Sequence, residues 1–141
     1  MHVVIDARTV RARRTGVGNS TWNQLAGLDQ FLRTHPEENV RVTAIRFAPD
    51  LSNSEFGNRW KSLSQVRIVD TNADYESHPA GDWWLQVTLR RLMERMGANI
   101  LYSPAFIGPC RGNFKKVLMI HDDLPWSQAE SYPFKFRIYM R

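Results

Sequence analysis

Met1-His2-Val3-Val4-Ile5-Asp6-Ala7-Arg8 opens the chain, and its reading decides the fold. Val3, Val4 and Ile5 run without polar alternation and stop at an acid, the pattern of a short strand covered on both faces. Such a strand belongs in the middle of a sheet. A polar, glycine-containing segment follows to Asn19. Trp22, Leu25, Leu28 (or Ala26) and Leu32 then recur at helical spacing, with Asn19 or Ser20 available as the N-cap. The order is strand, loop, helix.

The rest of the chain repeats that alternation. Residues 40–47 carry the β-branched enrichment of a second strand, stopped by Pro49 and a polar stretch through Asn58. Residues 66–69 make a short third strand. Leu85, Leu89, Leu92, Met93 and Met96 lay one apolar stripe along a helix over residues 82–96, closed by Gly97 in the C′ position. Residues 99–102 and 117–120 read as strands four and five, with Pro104, Gly108, Pro109 and Gly112 punctuating the connection. Strands alternating with helices predict an α/β fold, a Rossmann-like doubly wound parallel sheet in the order 3-2-1-4-5, as one domain over residues 1–141.

Composition narrows the function classes. With 43% hydrophobic residues in 141, the chain is able to bury about two-thirds of its unfolded surface around one core. Cys110 is the only cysteine, so no intrachain disulfide forms, which suits a reducing compartment. The acid at Asp6 comes too early for a signal peptide, and no apolar run approaches the roughly 18 residues of a membrane span. A cytoplasmic protein is the expectation. Nineteen Lys plus Arg against fourteen Asp plus Glu leave +5, a field that favours anionic partners. No nucleic-acid-binding motif accompanies that charge, and nucleic acid is not expected as a partner. Trp83 and Trp84, with Arg90, Arg91 and Arg95 behind them, allow a peripheral membrane contact, or else form a core-packing helix with a solvated basic face. His2, His35, His78 and His121 do not pair at ligand spacing, so no metal is expected.

In a parallel sheet of this order the loops after strands one, four and five gather on one rim, where such folds bind ligands. Arg14-Thr15-Gly16-Val17-Gly18-Asn19 reads either as a tight turn or as an anion site, where free N–H groups and a helix dipole meet a phosphate. His121-Asp122-Asp123 follows strand five directly. Its histidine suits a hydrogen bond to a sugar hydroxyl or phosphate oxygen, unless it is structural and the acids cap the next turn. Ser103-Pro104 after strand four offers a hydroxyl to the same rim or simply stiffens the turn. Of Arg8, Arg11, Arg13 and Arg14, at least two are expected to be solvated loop residues. An isolated, non-catalytic Rossmann-like module for a nucleotide or a partner is the competing class.

Several stretches together carry a resemblance: residues 3–8 (Val-Val-Ile-Asp-Ala-Arg), 15–18 (Thr-Gly-Val-Gly), 117–125 (Val-Leu-Met-Ile-His-Asp-Asp-Leu-Pro), 130–133 (Glu-Ser-Tyr-Pro) and 136–141 (Phe-Arg-Ile-Tyr-Met-Arg). In their order and spacing they resemble the amino-terminal domain of glycosyltransferase family 4. The resemblance implies a GT-B enzyme: two Rossmann-like domains facing a cleft, retaining transfer from a nucleoside-diphosphate sugar to a saccharide or lipid-linked acceptor, and no other cofactor. It implies that the amino-terminal domain holds the acceptor. It places Gly16 and Gly18, with Val17 between them, at the donor diphosphate, where Arg8 is a candidate to stabilise the departing charge. His121 falls near the transferred sugar with Asp122 beside it; Ser103 and Asp123 are expected on the acceptor-side rim from their places after strands four and five. Asp123 stands where many relatives have an apolar residue. The carboxyl-terminal nucleotide-sugar-binding domain is not in this stretch, so the protein is expected to continue beyond Arg141 and to need that domain for catalysis.

Overall fold

The structure, a computed structural model, describes residues 1–52, 54–77, 79–121 and 127–131. Five strands form one all-parallel sheet in the order β3-β2-β1-β4-β5, where β1 is His2–Asp6, β2 Arg41–Phe47, β3 Val66–Thr71, β4 Ile100–Ser103 and β5 Lys115–Leu118. This is the Rossmann-like arrangement that the apolar runs predict. β1 is central, pairing Val4 with Thr43 on one side and with Leu101 on the other.

Helices cover both faces, which is why β1 does not alternate. On one face Ile5, Val42, Ala44 and Val66 meet Trp22, Leu25 and Leu32 of α1 (Gly16–Thr34) and Phe56 and Trp60 of α2 (Ser54–Lys61). On the other, Val4, Ile45 and Leu101 meet Leu85, Leu89 and Met93 of a helix over residues 80–95, here α3. The predicted stripe is therefore a core face, and Gly97 ends the helix region with φ +58° as a C′ glycine does. Within α3, Trp84–Leu89 widens into a π-helical segment, a feature that concentrates at functional sites. Among the described residues no helix is long and apolar enough to cross a membrane.

Beyond small shifts at element ends, three details differ from the sequence prediction. Helix α1 begins at Gly16, capped by Thr15 rather than by Asn19 or Ser20: the Thr15 hydroxyl accepts the Gly18 N–H at 3.0 Å. Low helix propensity makes Gly16 and Gly18 look like loop, but tertiary packing outweighs it, because a Cβ on Gly18 would lie 2.5 Å from the Thr9 carbonyl oxygen. The polar stretch up to Asn58 is not a plain connection. A 3₁₀ turn at Ala48–Ser52 leads into α2, which is held by two aromatic side chains one turn apart. Finally β5 lies two residues earlier than residues 117–120, because its ladder follows β4 from Ile100 opposite Lys115 to Ser103 opposite Leu118. It is an edge strand, and Val117, Leu118 and Ile120 remain exposed. Asp122, Asp123 and residues 132–141 lie outside the described residues.

Candidate functional site

Asp6 ends β1 on the α3 side of the sheet and is buried. Two residues on, Arg8 folds back over it: Nε donates to Oδ1 at 2.8 Å and Nη2 to Oδ2 at 2.7 Å, a bidentate pair. Arg8 is only 1% exposed. Its guanidinium lies 4.2 Å from the Trp84 ring centroid and 5.6 Å from that of Tyr75, so aromatic faces replace water on its flat sides. Tyr75 is fixed in turn by its hydroxyl, which donates to the Ala105 carbonyl at 2.7 Å. Burial, and next the Asp6 charge, push that phenol far above its ordinary range, so it stays a donor.

One atom of this cluster is left over. Arg8 Nη1 is buried and has no hydrogen-bond partner among the described residues. A buried donor without an acceptor costs about 1–3 kcal/mol, more when charged, and folds seldom carry one without cause. Arg8 also lines a half-open cavity of about 230 Å³, with Thr9, Thr15, Val17, Tyr75 and Phe106 among its walls. The start of α1 therefore faces the same space. The N–H groups of Gly16 and Val17 are in its first turn and have no acceptor inside the helix. The dipole adds positive potential there.

The glycines have different places. Gly16 sits between two wall residues with no heavy atom within 4 Å of a would-be Cβ, whereas Gly18 is buried against Thr9 and serves the docking of α1. Thr9 and Thr21 complete that junction: their hydroxyls meet at 3.2 Å, and Thr21 Oγ1 donates to the Val17 carbonyl at 2.8 Å.

His121 reaches the same rim from β5. Its Nε2 lies 2.7 Å from the Pro104 carbonyl oxygen, which only accepts, so Nε2 carries the proton and Nδ1 is left for an incoming group. The ring meets Phe106 edge to face at 5.8 Å between centroids. Phe106 is a cavity wall and takes φ +54°, a strained conformation for a side chain of its size. His121 is thus one residue behind the cavity rather than in its wall. Ser103, expected on the rim, is instead buried at the end of β4. Its hydroxyl has no partner among the described residues, and a Cβ on Gly108 would come within 3.7 Å of it. Asp122 and Asp123 lie outside the described residues.

The arginines divide as charge alone does not foretell. Arg8 is buried. Arg11 bridges Asp50 at 2.9 Å and Asp74 at 2.6 Å while stacking over Phe47, and Arg13 and Arg14 are exposed. Of the two adjacent tryptophans, Trp83 is 71% exposed and Trp84 covers Arg8. Trp84, Tyr75 and Phe106 carry no local sequence signal, because each becomes part of the site through contacts far along the chain. Comparison of the chain with protein-family models, with curated proteins and with solved structures returns no match.

Proposed function

We propose that this chain is the acceptor-side, amino-terminal half of a glycosyltransferase that takes a nucleoside-diphosphate sugar as donor. The observation that carries the reading is that Arg8, whose buried Nη1 has no partner among the described residues, lines the cavity that the first turn of α1 also faces. A guanidinium N–H and two oriented backbone N–H groups are a donor set for a diphosphate oxygen. Their chemical use is electrostatic: a departing nucleoside diphosphate gains negative charge, and donors already fixed in place stabilise it without reorganising. Asp6, Trp84 and Tyr75 hold Arg8 for that task. His121, with Nε2 engaged by Pro104, presents Nδ1 on the same rim for a sugar hydroxyl. Retention at the anomeric carbon, and the need for a second, carboxyl-terminal domain, follow from the family resemblance in residues 3–8, 15–18 and 117–125.

Titration with uridine diphosphate, followed through the amide resonances of Gly16 and Val17, tests the reading directly. Saturable shifts are expected with the diphosphate and none with uridine. Equal responses to both, or silence at about 10 mM, where a site with Kd near 1 mM is mostly full, overturn it. On the full reading frame, His121→Ala should lower kcat/KM by more than about tenfold, or about 1.4 kcal/mol. A smaller loss removes His121 from the reaction.

A further inference from the structure

A second cavity, of about 290 Å³, shares Arg11 with the first and is otherwise lined by Ala12, Arg14, Glu55, Phe56 and Arg59. Its cations differ in how far they are committed. Arg11 is neutralised by Asp50 and Asp74. Neither Arg14 nor Arg59 forms an ion pair with any described residue, and Glu55, exposed at the rim, bridges to neither.

Arg59 is held in place by stacking. Its guanidinium lies 4.1 Å from the Trp22 ring centroid, and Trp22 is itself buried and packed edge to face on Trp60 at 5.4 Å. Stacking uses the flat face of a guanidinium and leaves its N–H edge to bond elsewhere. Burial first, and then the positive charge of Arg14, lower the pKa of Arg59, so the two cations oppose each other.

We propose that Arg14 and Arg59 together bind a phosphate group carried by the acceptor substrate. Two forked donors around one cavity match a tetrahedral oxyanion better than a hydroxyl-bearing sugar. The shared Arg11 wall sets this anion beside the donor cavity, as an acceptor must be. That the anion belongs to the acceptor rests on the glycosyltransferase reading; that the two arginines bind an anion does not. The phosphate sits on either a soluble sugar phosphate or a lipid phosphate, and the same chemistry serves both.

The test follows the Nε–H resonances of Arg14 and Arg59 on titration with glycerol 3-phosphate, and co-sedimentation with vesicles of phosphatidic acid in phosphatidylcholine. Saturable shifts of both resonances are expected, with affinity at least about tenfold weaker in Arg14→Gln and in Arg59→Gln and unchanged in Arg111→Gln, which removes the same charge elsewhere. Arg14 is exposed, so Arg14→Gln keeps the test independent of folding. Loss confined to the soluble arm identifies a sugar phosphate, and loss confined to vesicles a lipid phosphate. Binding that survives both substitutions, or falls equally in Arg111→Gln, or is absent in both arms, overturns the site. Uridine diphosphate is titrated into the same variants. If it fails at Gly16 and Val17 while phosphate still binds, the anion site stands and the enzyme reading falls. The reverse outcome removes only the acceptor phosphate.

Discussion

Strand β1 buries a polar side chain at each end, and the two ends are finished differently. At the amino end His2 is 3% exposed, and every polar atom it has is used. Its backbone N–H donates to Asn99 Oδ1 at 2.7 Å, its Nδ1 to the Met96 carbonyl at 3.2 Å, and its Nε2 therefore accepts from Thr43 Oγ1 at 2.9 Å. At the carboxyl end Asp6 and Arg8 are buried as deeply, but Arg8, which lines a cavity, keeps one guanidinium donor without a partner among the described residues. Satisfied polar burial at one end ties β1 to its neighbour β2 and to the turn that follows α3. Unsatisfied polar burial at the other leaves a bond for something to complete, at the edge where parallel sheets take ligands.

The comparison is broken most forcefully at Arg8. Arg8→Leu should cost about 3–5 kcal/mol in a urea unfolding experiment, because it strands the Asp6 carboxylate in a site without solvent. It should also abolish the uridine diphosphate response at Val17. A cost below about 1 kcal/mol would mean that the pair is not buried as described. The effect on ligand and the effect on stability separate if uridine diphosphate stabilises the wild-type protein and leaves the variant's unfolding midpoint unmoved.

A smaller effect distinguishes the two glycines at the start of α1. Gly18→Ala places a methyl 2.5 Å from the Thr9 carbonyl and 2.9 Å from Thr15 Oγ1, and should destabilise by about 1–3 kcal/mol as the helix start is pushed off its seat. Gly16→Ala meets nothing within 4 Å and should be neutral or stabilise by about 0.4–1 kcal/mol through the unfolded state. Equal costs for the two would show that neither glycine has the packing role assigned to Gly18.

What was legible beforehand follows from how local each signal is. The strands and the α3 stripe could be read because burial on two faces, or on one helical face, writes a pattern into consecutive residues, and the strand order is the usual one for such a sheet. Gly97 could be read because a C′ position asks for a conformation that glycine supplies. Helix α2 was hidden because Phe56 and Trp60 are the buried apolar residues that anchor it among those described, too few for a visible period. Arg8 was visible as a candidate, but its aromatic cover was not. Trp84 meets it through a π turn and Tyr75 through a loop, and nothing near residue 8 announces either. That Ser103 is buried at its end of β4 could not be read, because strand position alone says which end a residue occupies and not which way the following turn folds over it.

The smallest expected effect belongs to the satisfied end. Burial first, opposed by the Met96 bond and reinforced by Arg41 and Arg67, lowers the pKa of His2 below its ordinary 6.5. The unfolded chain, with an unshifted imidazole, therefore binds the proton more readily than the folded one, and stability rises with pH across the interval between the two values. His2 contributes its full share above about pH 6.5 and loses it as the pH falls towards the lowered folded value. One proton limits the slope to about 1.4 kcal/mol per pH unit. Urea unfolding at steps below pH 6.5 should show the wild-type protein losing stability faster than His2→Gln, which keeps an amide at the site but does not titrate. Parallel curves would mean that protonated His2 is accommodated where it stands. The polar network at the amino end would then be as open as the one around Arg8, and the contrast between the two ends of β1 would fail.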